Sequence, residues 1–362
     1  MRILHTESSN GWGGQEIRIL RESLGMQKRG HEVVLAVAKG GGLVAKAREA
    51  GFTVYEVEFS KAKAPLTLAH LLKIIKKHNI DLINTHSSLD AWLGGIAGRF
   101  GRKKVVRTRH LSTPIRGGLN SRLLYKGLAD YVVTTSSRII SPIVRQSKIA
   151  PQKCRLIATG VDPDYLKPIP EKVASFRKEL GIEDEDCLVG TVCFVRSWKG
   201  IEDLMRAAHL LRDIKQIKWV IIGGGFVDRY KGLAAELALD KILYFTGHLD
   251  DPAPAIAALD VFTLLSTANE GISQACLQAA YLEKPLVTTT VGGLPEVCRQ
   301  LETGILVPPG KPKDVAAAVL ALYDDPELRA QLGKRARQLV ENSFTIKHTL
   351  DQMEQVYDQL LH

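Results

Sequence analysis

The sequence lacks any apolar run approaching the roughly 20 residues that a membrane-spanning helix needs; runs such as VFTLL and KWVII fall far short. No apolar leader with a small-residue cleavage site precedes MRILHTES, so no signal peptide is expected. The five cysteines, Cys154, Cys187, Cys193, Cys276 and Cys298, form no C-x-x-C pair, and most sit in apolar runs. That pattern argues against a disulfide framework or a zinc site and for reduced core thiols in a cytoplasmic protein. No H-E-x-x-H or D-x-D motif accompanies the histidines His86 and His110, and no bound metal is expected. The dinucleotide fingerprint is missing too. The first strand-like run leads into GWGGQE rather than G-x-G-x-x-G, and no acidic residue ends AVAKGGG or ILYFTG to hold a ribose.

What is present suffices for two ordinary domains: 362 residues, 45 % of them hydrophobic. Charge is unevenly spread. Residues 1–165 hold 27 Lys and Arg against 12 Asp and Glu, while the remainder is mildly acidic, which suggests that the first half meets something anionic. Short β-branched runs (RILHT, EVVLAVA, TVYEVEF, DLINTH, KVVRTRH, YVVTTS, CRLIATG) alternate with segments of helical spacing. The scheme repeats in LVGTVCFV, KWVIIG, ILYFTG, VFTLLS, PLVTTT and GILVPP. Alternation of this kind predicts parallel sheets covered on both faces. The break falls at the proline-rich GVDPDYLKPIPEK. Two doubly wound α/β domains facing each other across a cleft are expected, 1–162 and 163–344, with residues 345–362 as a final helix. Ligands of such sheets lie beyond the carboxyl ends of the strands.

Several residues stand at those ends. Gly13 and Gly14 separate the first strand from a helix, where backbone can approach a ligand and free amides attract anions. His86 and His110 end two strands of the first half. Arg196 and Lys199 lie in one loop, where a planar fork and a point charge could clamp a diphosphate. Glu270 precedes GISQACLQAA, which predicts a helix from residue 271 with Gln278 about 12 Å along it from Glu270. That span is comparable with the distance from sugar to ribose in a nucleotide sugar. Amides of Gly271, Ile272 and Ser273 would then meet the phosphates between them.

In this order, the Gly13-Gly14 loop, TRH ending at His110, GVD at 160–162, RSWKG at 196–200, GGG at 223–225, FTGHLDD at 245–251, E-G-x-S at 270–273 and VGGLPE at 291–296 resemble the retaining family-4 glycosyltransferases of the GT-B fold. The resemblance implies a nucleotide-sugar donor on the C-terminal domain, with Arg196 and Lys199 neutralising its diphosphate. It implies Glu270 on the donor sugar, position 278 at the ribose, and His110 beside the reacting centre. Gly223 and Gly224 belong to the same donor side, and His248 and Leu249 lie where backbone holds the nucleobase. The second glutamate of the family's E-x7-E motif is Gln278 here, a carboxamide in place of a carboxylate.

The expected reaction is metal-independent transfer with retention, and no cofactor is expected beyond the co-substrate. A UDP-sugar is expected ahead of a GDP- or ADP-sugar. The resemblance further implies a glycan or glycolipid acceptor, such as lipopolysaccharide, and a final helix crossing back to the first domain. Lys73, Lys76, Lys77, Arg99, Arg102, Lys103, Lys104, Arg107 and Arg109 are expected to form a face that docks on anionic lipid at the inner side of the bacterial cytoplasmic membrane. The rival readings are a GT-B epimerase or phosphorylase and a non-catalytic polyanion binder. Nucleic acid is not expected, since no basic motif interleaved with aromatics occurs.

Overall fold

A computed structural model of the chain describes every residue except 111, 112 and 114. It divides into two compact units, Met1–Thr159 with Ile346–His362, and Gly160–Thr345.

The first unit is built on seven strands: β1 (Arg2–Glu7), β2 (Glu32–Ala38), β3 (Thr53–Val57), β4 (Leu82–Thr85), β5 (Lys104–Arg109), β6 (Tyr131–Thr134) and β7 (Cys154–Leu156). All pair in parallel, in the order β3-β2-β1-β4-β5-β6-β7. The second unit carries β8 (Cys187–Val192), β9 (Ile217–Ile222), β10 (Leu243–Gly247), β11 (Val261–Leu264), β12 (Leu286–Thr289) and β13 (Gly304–Val307). These are again parallel, ordered β10-β9-β8-β11-β12-β13. The strands read as unbroken apolar runs because helices cover both faces and neither face meets water. Leu35, Val106 and Val133 are sealed in the first core and Trp219, Ile221 and Val261 in the second.

In both sheets the strand order reverses, between β1 and β4 and between β8 and β11. Successive crossovers there leave in opposite directions, so the carboxyl ends of those neighbours open a crevice.

The chain ends in two helices, Pro326–Ser343 and Ile346–Leu361. The second belongs to the first unit, where Leu350, Met353, Val356 and Tyr357 join the core of β1 and β2. It lies so close to helix Gly14–Lys28 that a Cβ on Gly25 would sit 2.3 Å from Leu350 Cδ1. Arg29 pairs with Asp351 at 2.6 Å and Glu354 at 2.7 Å at the rim of that contact. Inside it, the Tyr357 hydroxyl donates to Glu22 Oε1 at 3.0 Å and accepts from Asn84 Nδ2 at 2.9 Å. Tyr357→Phe would strip one partner from each of two buried polar groups. A loss of about 1–3 kcal/mol is expected in urea unfolding; an unchanged midpoint would show that the hydroxyl contributes nothing.

Candidate active site

In the second unit the crevice lies beyond β8 and β11. The chain leaving β8 is tied to the loop after β9: Val195 N–H donates to Gly224 O at 2.8 Å and Phe226 N–H to Val195 O at 3.0 Å. Gly223, at φ +136°, passes so close that a Cβ would meet Cys193 O at 1.9 Å. A single turn, Ser197–Lys199, follows, ending at Gly200. There φ is +69° and a Cβ would fall 2.0 Å from Leu265 O, so only glycine lets the turn press against the end of β11.

That contact brings together two residues 71 positions apart. Lys199 Nζ donates to Glu270 Oε2 at 2.7 Å, and Ser266 Oγ donates to the same oxygen at 2.7 Å. Ser266 is itself held, its carbonyl accepting from Thr289 Oγ1 at 2.6 Å. Glu270 is buried, and its Oε1 takes no hydrogen bond from a described residue. One oxygen is anchored and the other has no partner among the described residues.

The helix after Glu270 differs from expectation. It spans Gln274–Tyr281, with Ser273 as its N-cap accepting from Cys276 N–H at 3.5 Å. Gly271 and Ile272 precede it as buried irregular chain, after Asn269 in a left-handed conformation. Serine prefers the cap because its hydroxyl satisfies an orphan amide, so the free amides begin at Gln274 rather than at Gly271. The 12 Å offset of Gln278 from Glu270 assumed one continuous helix and does not apply. Gln278 lies one turn into the helix, half-buried.

Arg196 is exposed, with its guanidinium 4.7 Å from the Phe194 ring centre and 5.3 Å from that of Trp198. It makes no ion pair with a described residue, so aromatic faces hold it while its donors stay available. Phe226 meets Phe194 edge-on at 6.5 Å. Gly224 approaches His248, whose Nε2 lies 3.5 Å from Asp250; His248 is exposed and Leu249 half-buried.

In the first unit, β1, β4 and β5 present a row of three rings. His5 Nδ1 lies 2.8 Å from His86 Nε2, and His86 Nδ1 lies 3.0 Å from His110 Nε2. Burial favours the neutral form of all three, most strongly at His86 and His110, and for His86 the neighbouring His5 and His110 act in the same direction. Beside the row, Asp90 accepts from Thr6 Oγ1 at 3.0 Å, Ser8 Oγ at 2.9 Å and His86 N–H at 2.8 Å. Glu7 accepts from Ser87 Oγ at 2.5 Å, Ser9 N–H at 2.7 Å and Gln15 Nε2. Gly13 caps helix Gly14–Lys28, its N–H donating to Glu16 Oε2 at 2.9 Å. A Cβ on Gly14 would meet nothing within 4 Å, so the space before it is open.

Sequence reasoning passed over His5, Glu7, Asp90 and the aromatic support of Arg196. The usable signals were a histidine inside a buried strand and rings flanking an arginine at i±2. Two members of the expected basic face are not on the surface. Arg107 donates to Ser87 O at 3.0 Å and Arg109 to Tyr125 Oη at 2.9 Å, both buried. They point inward because β5 is a central strand with both faces covered.

Burial, aided by the charge of Asp90, raises the Glu7 carboxyl from 4.5 to about 8. The folded chain then binds this proton more tightly than the unfolded chain does, so Glu7 withdraws stability as pH rises from about 4.5 to about 8. Glu7→Gln is expected to flatten that part of a stability-versus-pH curve, gaining most at the alkaline end. Parallel curves would remove Glu7 as the source.

Two family models cover most of the chain: Glycosyltransferase Family 4 over residues 12–165 and Glycosyl transferases group 1 over residues 173–339. The chain is 24 % identical to the D-inositol 3-phosphate glycosyltransferase of Corynebacterium glutamicum, across 96 % of this chain and 92 % of that protein. It is 26 % identical to the UDP-Gal:alpha-D-GlcNAc-diphosphoundecaprenol alpha-1,3-galactosyltransferase of Escherichia coli, across 80 % and 78 %. The crystal structure of Anabaena HepE in complex with UDP superposes with a TM-score of 0.89 at 20 % identity, covering 99 % of this chain and 100 % of that one. With two parallel α/β sheets of matching order and both family models aligned in sequence, the chain belongs to the family-4 glycosyltransferases of the GT-B fold.

Proposed function

We propose that the chain moves a hexosyl group, with retention and without a metal, from a UDP-sugar to a lipid-linked or polysaccharide acceptor of the bacterial cell envelope. The observation that carries this reading is the Lys199–Glu270 pair, its carboxylate buried, with Arg196 in the same loop making no ion pair among the described residues. Glu270 Oε1 would orient the sugar hydroxyls. Lys199 and Arg196 would meet the diphosphate, with Gln278 at the ribose and the loops at Gly224 and His248 near the base. The bond from the anomeric carbon to phosphate breaks, and a bond to the acceptor oxygen forms on the same face. The acceptor proton passes to the departing phosphate oxygen. Cations fixed where that charge develops lower the barrier more than they tighten ground-state binding. In support, HepE has been solved with UDP-glucose, and the Escherichia coli relative is named for UDP-Gal and a diphosphoundecaprenol acceptor.

Arg196→Ala is the cleaner probe, since no described ion pair is broken; Lys199→Ala also leaves the Glu270 carboxylate without its cation. Each is expected to lower transfer about 100-fold or more while UDP-sugar binding weakens less. A thermal-shift series with UDP-, GDP- and ADP-sugars precedes the assay. Wild-type turnover in Arg196→Ala, or stabilisation by GDP- or ADP-sugars alone, would overturn the assignment.

The acceptor side of the proposal rests on helices Ala64–Lys77 and Ser88–Phe100, which pack together in the first unit. Lys73, Lys76, Lys77, Arg102 and Lys104 are exposed there, and Leu66 and Phe100 are each 71 % exposed. Cations around exposed apolar side chains suit an anionic bilayer surface, where each adds about 1 kcal/mol. No helix of the described residues is long and apolar enough to cross a membrane. Sedimentation with vesicles containing anionic lipid is expected to exceed that with neutral vesicles, and Lys73→Glu/Lys76→Glu is expected to abolish the difference. Equal sedimentation with both vesicle types would dismiss membrane docking.

A further inference from the structure

The row of three histidines contains more than His110 alone requires. Its N···N separations of 2.8 and 3.0 Å make both links hydrogen bonds, and each link consumes one proton. Rings kept neutral carry one N–H each. Three protons therefore serve two links, and the third must sit at an end of the row. Either His5 Nε2 or His110 Nδ1 holds it.

The far end decides. His5 is fully buried, and its Nε2 has no partner among the described residues. An N–H there would be an orphaned buried donor, the rarer kind of unsatisfied group; a bare lone pair is the more tolerable choice. With a lone pair on His5 Nε2, His5 Nδ1–H donates to His86 Nε2, and His86 Nδ1–H donates to His110 Nε2. His110 Nε2 is thereby occupied as an acceptor, and its proton lies on Nδ1.

We infer that His5 and His86 are positioning residues that fix His110 as the neutral Nδ1–H tautomer, so that it offers a ligand one outward hydrogen-bond donor and no base. This rests on the expectation, implied by the family resemblance, that His110 stands beside the reacting centre. The partner fitting that donor is a hydroxyl or phosphate oxygen. Arg18 and Arg107 add their charge to burial in disfavouring a proton on His110, so the group stays an uncharged donor. The rings have little room to turn. His5 and His86 are stacked with centres 5.1 Å apart and planes 12° from parallel, and the backbone that carries the His86 ring is anchored by its amide N–H to Asp90.

The test is 15N NMR of the full-length protein with 15N-labelled histidine, which separates protonated from bare ring nitrogens and needs no substrate. His110 is expected to show a protonated Nδ1 and a bare Nε2 at neutral pH; the reverse pattern would overturn the inference. Two variants extend it. His5→Leu removes the first donor and should mix the tautomers at His110. His5→Asn keeps an amide N–H near the place of Nδ1 and should restore them. In a transfer assay His5→Leu is expected to lose about tenfold in kcat, the effect of one neutral hydrogen bond, with KM little changed. His5→Asn is expected to recover most of it. If Asn is no better than Leu in both readouts, the row is only structural. His110→Ala separates the two levels: unchanged transfer there would reject the role of His110 in the reaction while leaving the tautomer measurement to stand or fall alone.

Discussion

Parallel pairing is the constraint on which the rest of this molecule depends. A parallel strand can be followed by its neighbour only after a crossover, so every loop leaving a carboxyl end is free to carry polar groups. The opposite ends are occupied by returning chain. Where the order reverses, two such loops stand side by side with no crossover between them. In the second sheet these are the loops after β8 and β11, and the Lys199–Glu270 pair joins them. In the first sheet β1 and β4 play the same part, bringing His5, Glu7, His86 and Asp90 together.

The two sites use buried charge differently. In the second unit a carboxylate is matched by a lysine, with one oxygen saturated and one left over. In the first unit the carboxyls of Glu7 and Asp90 meet neutral donors from serine, threonine, glutamine and backbone. No cation among the described residues pairs directly with either. Burial then dominates and lifts their affinity for protons. One arrangement balances a buried carboxylate with a cation; the other suppresses charge beside a row of neutral rings.

Much of this was legible in the sequence. The strands announced themselves as β-branched runs because both faces of a parallel sheet are buried, and Lys199, Glu270 and His110 stood out as polar residues closing such runs. The helix before Gln278 was misplaced by three residues because helical spacing of apolar side chains extends back through Ile272. The local preference of Ser273 for the cap, and the left-handed turn at Asn269, outweigh that spacing. Arg107 and Arg109 read as surface cations in the sequence because charge alone does not reveal which strand is central. His5 stayed hidden for a similar reason: its meaning comes from two rings 81 and 105 positions away, and no local pattern reports a register between distant strands.

The place of helix Ile346–Leu361 has a consequence for biosynthesis. The second unit is continuous in sequence from Gly160 to Thr345 and holds its whole core in that span. The first unit is emitted earlier, yet it lacks Leu350, Met353, Val356 and Tyr357 until everything between has been translated. Emerging domains generally fold in order of synthesis; here that order is inverted for completion. The amino-terminal half must wait on the ribosome with the side of helix Gly14–Lys28 that receives Leu350 uncovered, including the buried polar atoms of Glu22 and Asn84. In a nascent chain of this protein the apolar surface uncovered for longest therefore lies in the half that is made first.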